Sequence, residues 1–285
     1  FRPGVADRLG IGWAALSAVN PRLVYASISG FGQDGPNAAR PAYDLVVQAL
    51  SGIMAVTGDP AGPPTMIGEA VGDVVAGLFG AWAIGAALVD RERTGQGRHL
   101  DVAMFDSMLA FQPLILARTL ATGVAPGRVG NRHALSAPYG AFAARDGMFV
   151  LAVLNPKLFA ALAGVIGHPG LTADPRFASD PLRLENEAAL RVIIESWSRQ
   201  RSTAEAVAAL VTAGVPAADV QDTAAALAMT AERPVVQQVV HPALGPIRVP
   251  EQPVRFAGVS RGGAAAAPRL GAEGRADAET LWRPR

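Results

Sequence analysis

Between Gly72-Asp73 and Asp90-Arg91-Glu92-Arg93 the chain runs for 16 residues, Val74 to Val89, without one charged side chain. A segment apolar on every side is expected to be a helix enclosed by other elements. It falls short of the ~18 residues at which a bilayer span becomes the default reading. A buried helix is therefore expected, opening after Asp73 and running to Glu92, where Arg93-Thr94-Gly95 supplies a basic last turn and a glycine stop.

Apolar strands flank this helix at 21–28 and 99–104. The first is followed by a glycine-rich loop, 30–40, and by helical spacing of Leu45, Val46, Ala49, Leu50 and Ile53 over 43–54. Further helices are expected over 6–19 and 106–121. Strand, helix, strand, helix with near-continuous apolar strands is the pattern of a doubly wound α/β domain. The pattern changes after Gly127. Short strands read around Gly140 and Gly147, and helices over 156–166 (capped by Asn155), 184–198 and 203–213, the last opening with a Ser202-x-x-Glu205 capping box. Prolines at 242, 246, 250 and 253 punctuate a tail of short Val-rich runs that suits edge strands.

Composition excludes several function classes. A net charge of +1 gives no basic field for a nucleic-acid backbone, so no nucleic-acid partner is expected. The absence of cysteine removes disulfides, thiolate catalysis and zinc ribbons, and a cytoplasmic setting fits that usage. His99, His133, His168 and His241 show no ligand spacing, so no metal is expected. No GxSxG elbow, P-loop or HExxH motif occurs.

Three segments invite a chemical reading. Gly30-Phe31-Gly32-Gln33-Asp34-Gly35 is a literal GxGxxG after a strand, but Pro36 follows at once where a pyrophosphate-binding helix would have to begin. It is read as a glycine loop. Gly68-Glu69-Ala70-Val71-Gly72-Asp73 precedes the apolar helix; Asp73 reads as an N-cap, or as a carboxylate nucleophile presented beside glycines. The stretch 129–140 is rich in donors, and His133 is either a base or an ordinary loop histidine.

The ordered set Phe1-Arg2-Pro3-Gly4, Asn20-Pro21-Arg22-Leu23-Val24-Tyr25, Gly30-Phe31-Gly32-x-x-Gly35-Pro36, Tyr43-Asp44, Gly72-Asp73, Arg93-Thr94-Gly95-x-Gly97 and Gly130-Asn131-Arg132-His133 resembles the class III CoA-transferases, the family of formyl-CoA transferase and carnitine CoA-transferase. The likeness runs from Phe1 to about Gly258, with Ala267-Pro268-Arg269-Leu270-Gly271 similar to the family's tail. The resemblance implies a Rossmann-like large domain, incomplete at its N-terminus, with a smaller α+β domain. Residues 1–125 would form the large domain, 126–240 the small one, and 241–285 a segment returning to the first.

It further implies that Asp73 is the nucleophile that exchanges CoA through a covalent aspartyl thioester, with acyl-CoA and a carboxylic acid as substrates and no metal or redox cofactor. Tyr43 and Asp44 match site-lining positions. Gly130, Asn131, His133 and Ala137 fall in the segment that corresponds to a substrate loop, though with fewer glycines than in relatives. Arg8 matches a position that contacts CoA phosphate. An interlocked homodimer is implied, not a membrane protein, and the chain reads as lacking the family's first quarter. Two alternatives stand beside this. An α-methylacyl-CoA racemase would carry histidine where this chain has Tyr43, and an inactive CoA-binding fragment or scaffold would keep the fold alone.

Overall fold

The computed structural model describes residues 1–259 and 265–270. The chain forms two compact units, Phe1–Ala218 and Asp219 onward.

The first unit begins with α1 (Val5–Arg8) and α2 (Trp13–Val19), then β1 (Val24–Ser29). The single helix expected over 6–19 is two, because Gly10 takes φ 74° and no L side chain follows that path easily. The helix expected over 43–54 is likewise split into α3 (Asp44–Leu50) and α4 (Ile53–Val56) at Gly52, φ 86°. Then come α5 (Val71–Thr94), β2 (Arg98–Ala103), α6 (Met104–Ala110) and α7 (Pro113–Thr122). The expected helix 106–121 breaks at Pro113, which has no N–H to continue the ladder.

Strands β1 and β2 pair in parallel, Val24 opposite Arg98 through Ser29 opposite Ala103. Parallel neighbours need a crossover, and the α3–α5 segment supplies it. Helix α5 packs on α6, β2, β1 and α3. Its buried stripe is made of small residues, Gly72, Ala76 and Gly80 with Val75 and Ala87. That lets the helix sit close: a Cβ at Gly80 would meet Ile28 Cδ1 at 3.2 Å.

The opposite face corrects the expectation of a fully enclosed helix. Val74, Leu78, Trp82 and Val89 are exposed, Trp82 by 72%. The small side chains face the sheet and the large ones point away from it. By length and composition alone α5 is also sufficient to cross a membrane. The core here is Val47, Ile53, Val75, Ala76, Val102, Met104 and Met108.

Farther along, β3 (Tyr139–Ala143) and β4 (Met148–Ala152) form an antiparallel hairpin, and β5 (Ala217–Asp219) adds to β4. Helices α8 (Pro156–Val165), α9 (Asp180–Glu185), α10 (Glu187–Ser198) and α11 (Thr203–Thr212) accompany it. A second core joins Phe142, Phe149, Leu151, Phe159, Leu162, Leu190, Ile194 and Leu210. The caps read from the sequence form: Asn155 accepts from the Leu158 N–H, and the Ser202/Glu205 box closes in both directions. The helix expected over 184–198 is two, α9 and α10, meeting at Asn186.

Hydrogen bonds hold the hairpin on α10, Arg191 Nη1 donating to the Ala141 carbonyl at 2.7 Å and Glu195 Oε1 accepting the Ala143 N–H at 3.3 Å, and an ion-pair ladder fixes those two side chains. Arg132 and Arg191 both reach Glu187, and Arg191 and Arg199 both reach Glu195. Burial works against ionisation of Glu195, but hydrogen bonds from Arg199, the Ala143 N–H and Arg191 outweigh it and hold its carboxyl below the usual range. A depressed folded-state pKa gives stability that is present above the unfolded value and is lost as pH falls through the folded one. Stability measured by denaturant titration should therefore fall below about pH 4, and Glu195→Gln should flatten that acid dependence. An unchanged slope in the variant would remove Glu195 from the account.

The second unit contains α12 (Thr223–Ala228), whose first turn is capped by Asp222, and the antiparallel hairpin β6 (Val236–His241) and β7 (Gly245–Pro250). The expected return of the tail rests partly on 260–264 and 271–285, which lie outside the described residues.

Candidate active site

Asp73 is the third residue of α5 and is exposed. It does not cap the helix, contrary to the cap reading. The N-cap position belongs to Ala70, which makes no side-chain cap bond. The cap comes from α3 instead: Asp44 Oδ1 accepts the Gly72 N–H at 2.7 Å. Asp73 is thus free of capping duty while still lying in the first turn, where the helix dipole favours a carboxylate.

Its carboxylate opens on a cleft of ≈ 510 Å³ shared with Arg2, Ser29, Gly30, Arg40, Tyr43 and Met104. Ser29 ends β1, Gly30 follows it and Met104 follows β2, so the cleft lies at the carboxyl ends of two parallel strands. Open α/β sheets bind ligands at this edge. The glycine loop is no dinucleotide motif, since no helix begins until Asp44. Gly30 instead allows a close approach, because a Cβ there would meet Ala42 Cβ at 2.5 Å.

Tyr43 is 86% exposed and lines the same cleft. Asp44 stands behind it: one oxygen holds Gly72, and the other accepts from Gln48 Nε2 at 2.7 Å. Arg8, at the end of α1, is exposed and not among the residues lining this cleft. Arg2 and Arg40 take that place, and sequence reading missed both as site residues. The signal available for Arg40 was its position in the loop after a strand's carboxyl end. Its guanidinium sits 5.7 Å from the Phe31 ring centre, which fixes the side chain's direction without neutralising it.

The loop residues gather elsewhere. Gly130 and Asn131 line a second cleft of ≈ 420 Å³ with Asp59, Arg132, Glu187 and Arg191, and that cleft shares no residue with the first. The Gly130 N–H donates to the Gly58 carbonyl at 3.1 Å, and the Asn131 carbonyl accepts from the Ala141 N–H at 2.8 Å. His133 stacks on Tyr139 at 4.7 Å, donates its backbone N–H to the Tyr139 carbonyl and accepts from the Leu135 N–H through Nδ1. Ala137 is fully buried; its N–H reaches Asp180 and its carbonyl accepts from Arg183 Nε at 2.7 Å. The backbone donors of Gly130, His133 and Ala137 are thus engaged within the chain. The geometry brings Asp73, Tyr43 and, behind them, Asp44 together, and leaves the loop and Arg8 apart. Among the described residues no His, Asp or Glu cluster is suited to a metal ion.

The model of CoA-transferase family III matches residues 1–274. The chain belongs to that family. Among curated class III relatives, it is 46% identical over 261 residues to an acetyl-CoA:oxalate CoA-transferase of Acetobacter aceti, covering 90% of this chain and 66% of that protein. It is 36% identical over 216 residues to a succinate–glutarate CoA-transferase of Agrobacterium fabrum, covering 76% and 54%. The chain thus spans roughly half to two-thirds of these relatives' length. A CaiB/BaiF family protein from Brucella suis superposes with a TM-score of 0.82 at 35% identity, over 99% of this chain and 74% of that one. The mixed α/β architecture is therefore that of the family III transferases.

Proposed function

We propose that the protein moves CoA between an acyl-CoA and a carboxylic acid, with Asp73 as the covalent carrier. The observation that supports this is the Asp73 carboxylate, exposed in the first turn of α5 over a cleft at the strands' carboxyl ends. In the first step an Asp73 oxygen bonds to the thioester carbonyl carbon and the C–S bond breaks, giving a mixed anhydride and CoA thiolate. The thiolate attacks the Asp73 carbonyl and releases the donor carboxylate, leaving an aspartyl-CoA thioester. The acceptor carboxylate then repeats these steps in reverse, and Asp73 is regenerated. A carboxylate is a weak nucleophile, so holding it against the thioester is the main contribution, worth about 7–11 kcal/mol at best. Coenzyme A enters as substrate, and the cycle has no step for a metal or redox group. A cytoplasmic homodimer acting without nucleic acid or membrane completes the proposal.

Tyr43 separates this reading from the racemase, because its phenol lacks the ring nitrogen through which an imidazole takes up and returns a proton. Transfer of solvent deuterium to the α-carbon without CoA exchange would reverse that ranking. An inactive scaffold would bind CoA and form no adduct.

The acceptor class proposed is a short dicarboxylic acid. The relatives' names specify oxalate, succinate and glutarate, and Arg2 and Arg40 place guanidinium groups on the Asp73 cleft, where one could pair with the carboxylate that does not react. Replacing Arg40 by alanine should raise the KM for a dicarboxylate acceptor about 10-fold and leave that for a monocarboxylate within about 2-fold. Steady-state rates with the two acceptor types test this; an equal change for both would leave Arg40 without a part in acceptor choice.

A further inference from the structure

Gln48 is 1% exposed, an amide side chain buried in the middle of α3. Its hydrogen bonds run to the segment that delivers Asp73. Oε1 accepts the Ile67 N–H at 2.9 Å, and Nε2 donates to the Glu69 carbonyl at 3.2 Å and to Asp44 Oδ2 at 2.7 Å. Asp44 in turn accepts the Gly72 N–H. Ile67 and Glu69, on the stretch without strand that leads into α5, and Gly72, the second residue of α5, are thereby tied to one helix. The N-cap residue itself contributes no side-chain bond, so this α3 clamp supplies the fixed point.

We propose that Gln48, acting through Asp44, is a positioning residue for the Asp73 carboxylate. The proposal rests on the reading of Asp73 as nucleophile. Gln48 holds the backbone from which the carboxylate is presented, and an ångström of drift there separates a reacting pair from a bound one. Gly72 belongs to the same device. A Cβ at Gly72 would meet Asp44 Oδ1 at 3.1 Å, so only glycine lets Asp44 close on the helix end without giving way.

The test uses the full-length protein and three variants, with acetyl-CoA as donor and oxalate as acceptor. Gln48→Met keeps the bulk and removes the clamp. Gly72→Ala pushes on Asp44 without removing a buried amide and does not lower helix propensity. Gln112→Met is the control: Gln112 is 5% exposed and donates to the Ser51 and Met108 carbonyls, away from segment 67–73. Gln48→Met and Gly72→Ala are expected to lower kcat, and the single-turnover rate of Asp73 adduct formation, at least 30-fold, with the KM for acetyl-CoA within 3-fold of the parent. Gln112→Met should lose thermal stability without that kinetic change. If Gln48→Met fails to fold, Gly72→Ala decides. Parental kcat in a folded Gln48→Met or, failing that, in Gly72→Ala overturns the proposal, as does an equal kcat loss in Gln112→Met. A parent protein that forms no Asp73 adduct sinks the nucleophile reading instead, so the two failures are distinct.

Discussion

Replacing Asp73 by alanine should lower CoA transfer by about 10⁴-fold or more while acyl-CoA still binds. The size follows from removing the one carboxylate that lines the cleft among the described residues: the loss of a nucleophile in other covalent enzymes costs several orders of magnitude and leaves only binding and orientation. Folding should be spared, since Asp73 is exposed and the helix end is capped by Asp44 rather than by Asp73. Acyl-CoA affinity by calorimetry beside initial rates separates the two effects. A variant within 10-fold of the parent rate would mean that the carboxylate is not covalent in the reaction.

The second large effect falls on stability. Arg183 is 2% exposed, and its charge is shared among four neighbours: Nε donates to the Ala137 carbonyl at 2.7 Å, Nη1 to the Phe177 carbonyl at 3.3 Å and Nη2 to Asp180 at 3.1 Å, while the guanidinium lies 4.7 Å over the Phe159 ring. Arg183→Met retains most of the volume but strands two carbonyls and leaves Asp180 without its cation. Each orphaned buried acceptor costs about 1–3 kcal/mol, so a loss of about 3 kcal/mol is expected in urea titrations. The loop around Ala137 should lose protection first by hydrogen exchange. A change below about 1 kcal/mol would show that water or repacking replaces the arginine.

The parallel pair β1 and β2 was legible in outline, since 21–28 and 99–104 overlap the observed Val24–Ser29 and Arg98–Ala103, but the strands are only partly buried, β2 carrying exposed Arg98, His99 and Asp101. Helix breaks were not, because apolar periodicity continues straight through Gly10, Gly52 and Pro113, where backbone geometry overrides it. The exposed side of α5 was hidden for another reason. A run apolar on all sides does not say which stripe packs, and here the glycines and alanines do. The site divides the same way. Asp73 could be singled out from local context and Tyr43 only from the family resemblance, whereas the cap from Asp44 to Gly72 crosses 28 residues and leaves no local trace. Arg40 reads as an ordinary loop arginine until the fold sets it on the cleft.

Covalent carriage by Asp73 is tested most directly by mixing the full-length protein with acetyl-CoA, quenching, and reading peptide masses with and without prior hydroxylamine. The account predicts an adduct, CoA thioester or anhydride, on the peptide containing Asp73, converted by hydroxylamine to a hydroxamate and absent from Asp73→Ala. CoA transfer to oxalate with an unmodified Asp73 peptide at every time point would contradict it.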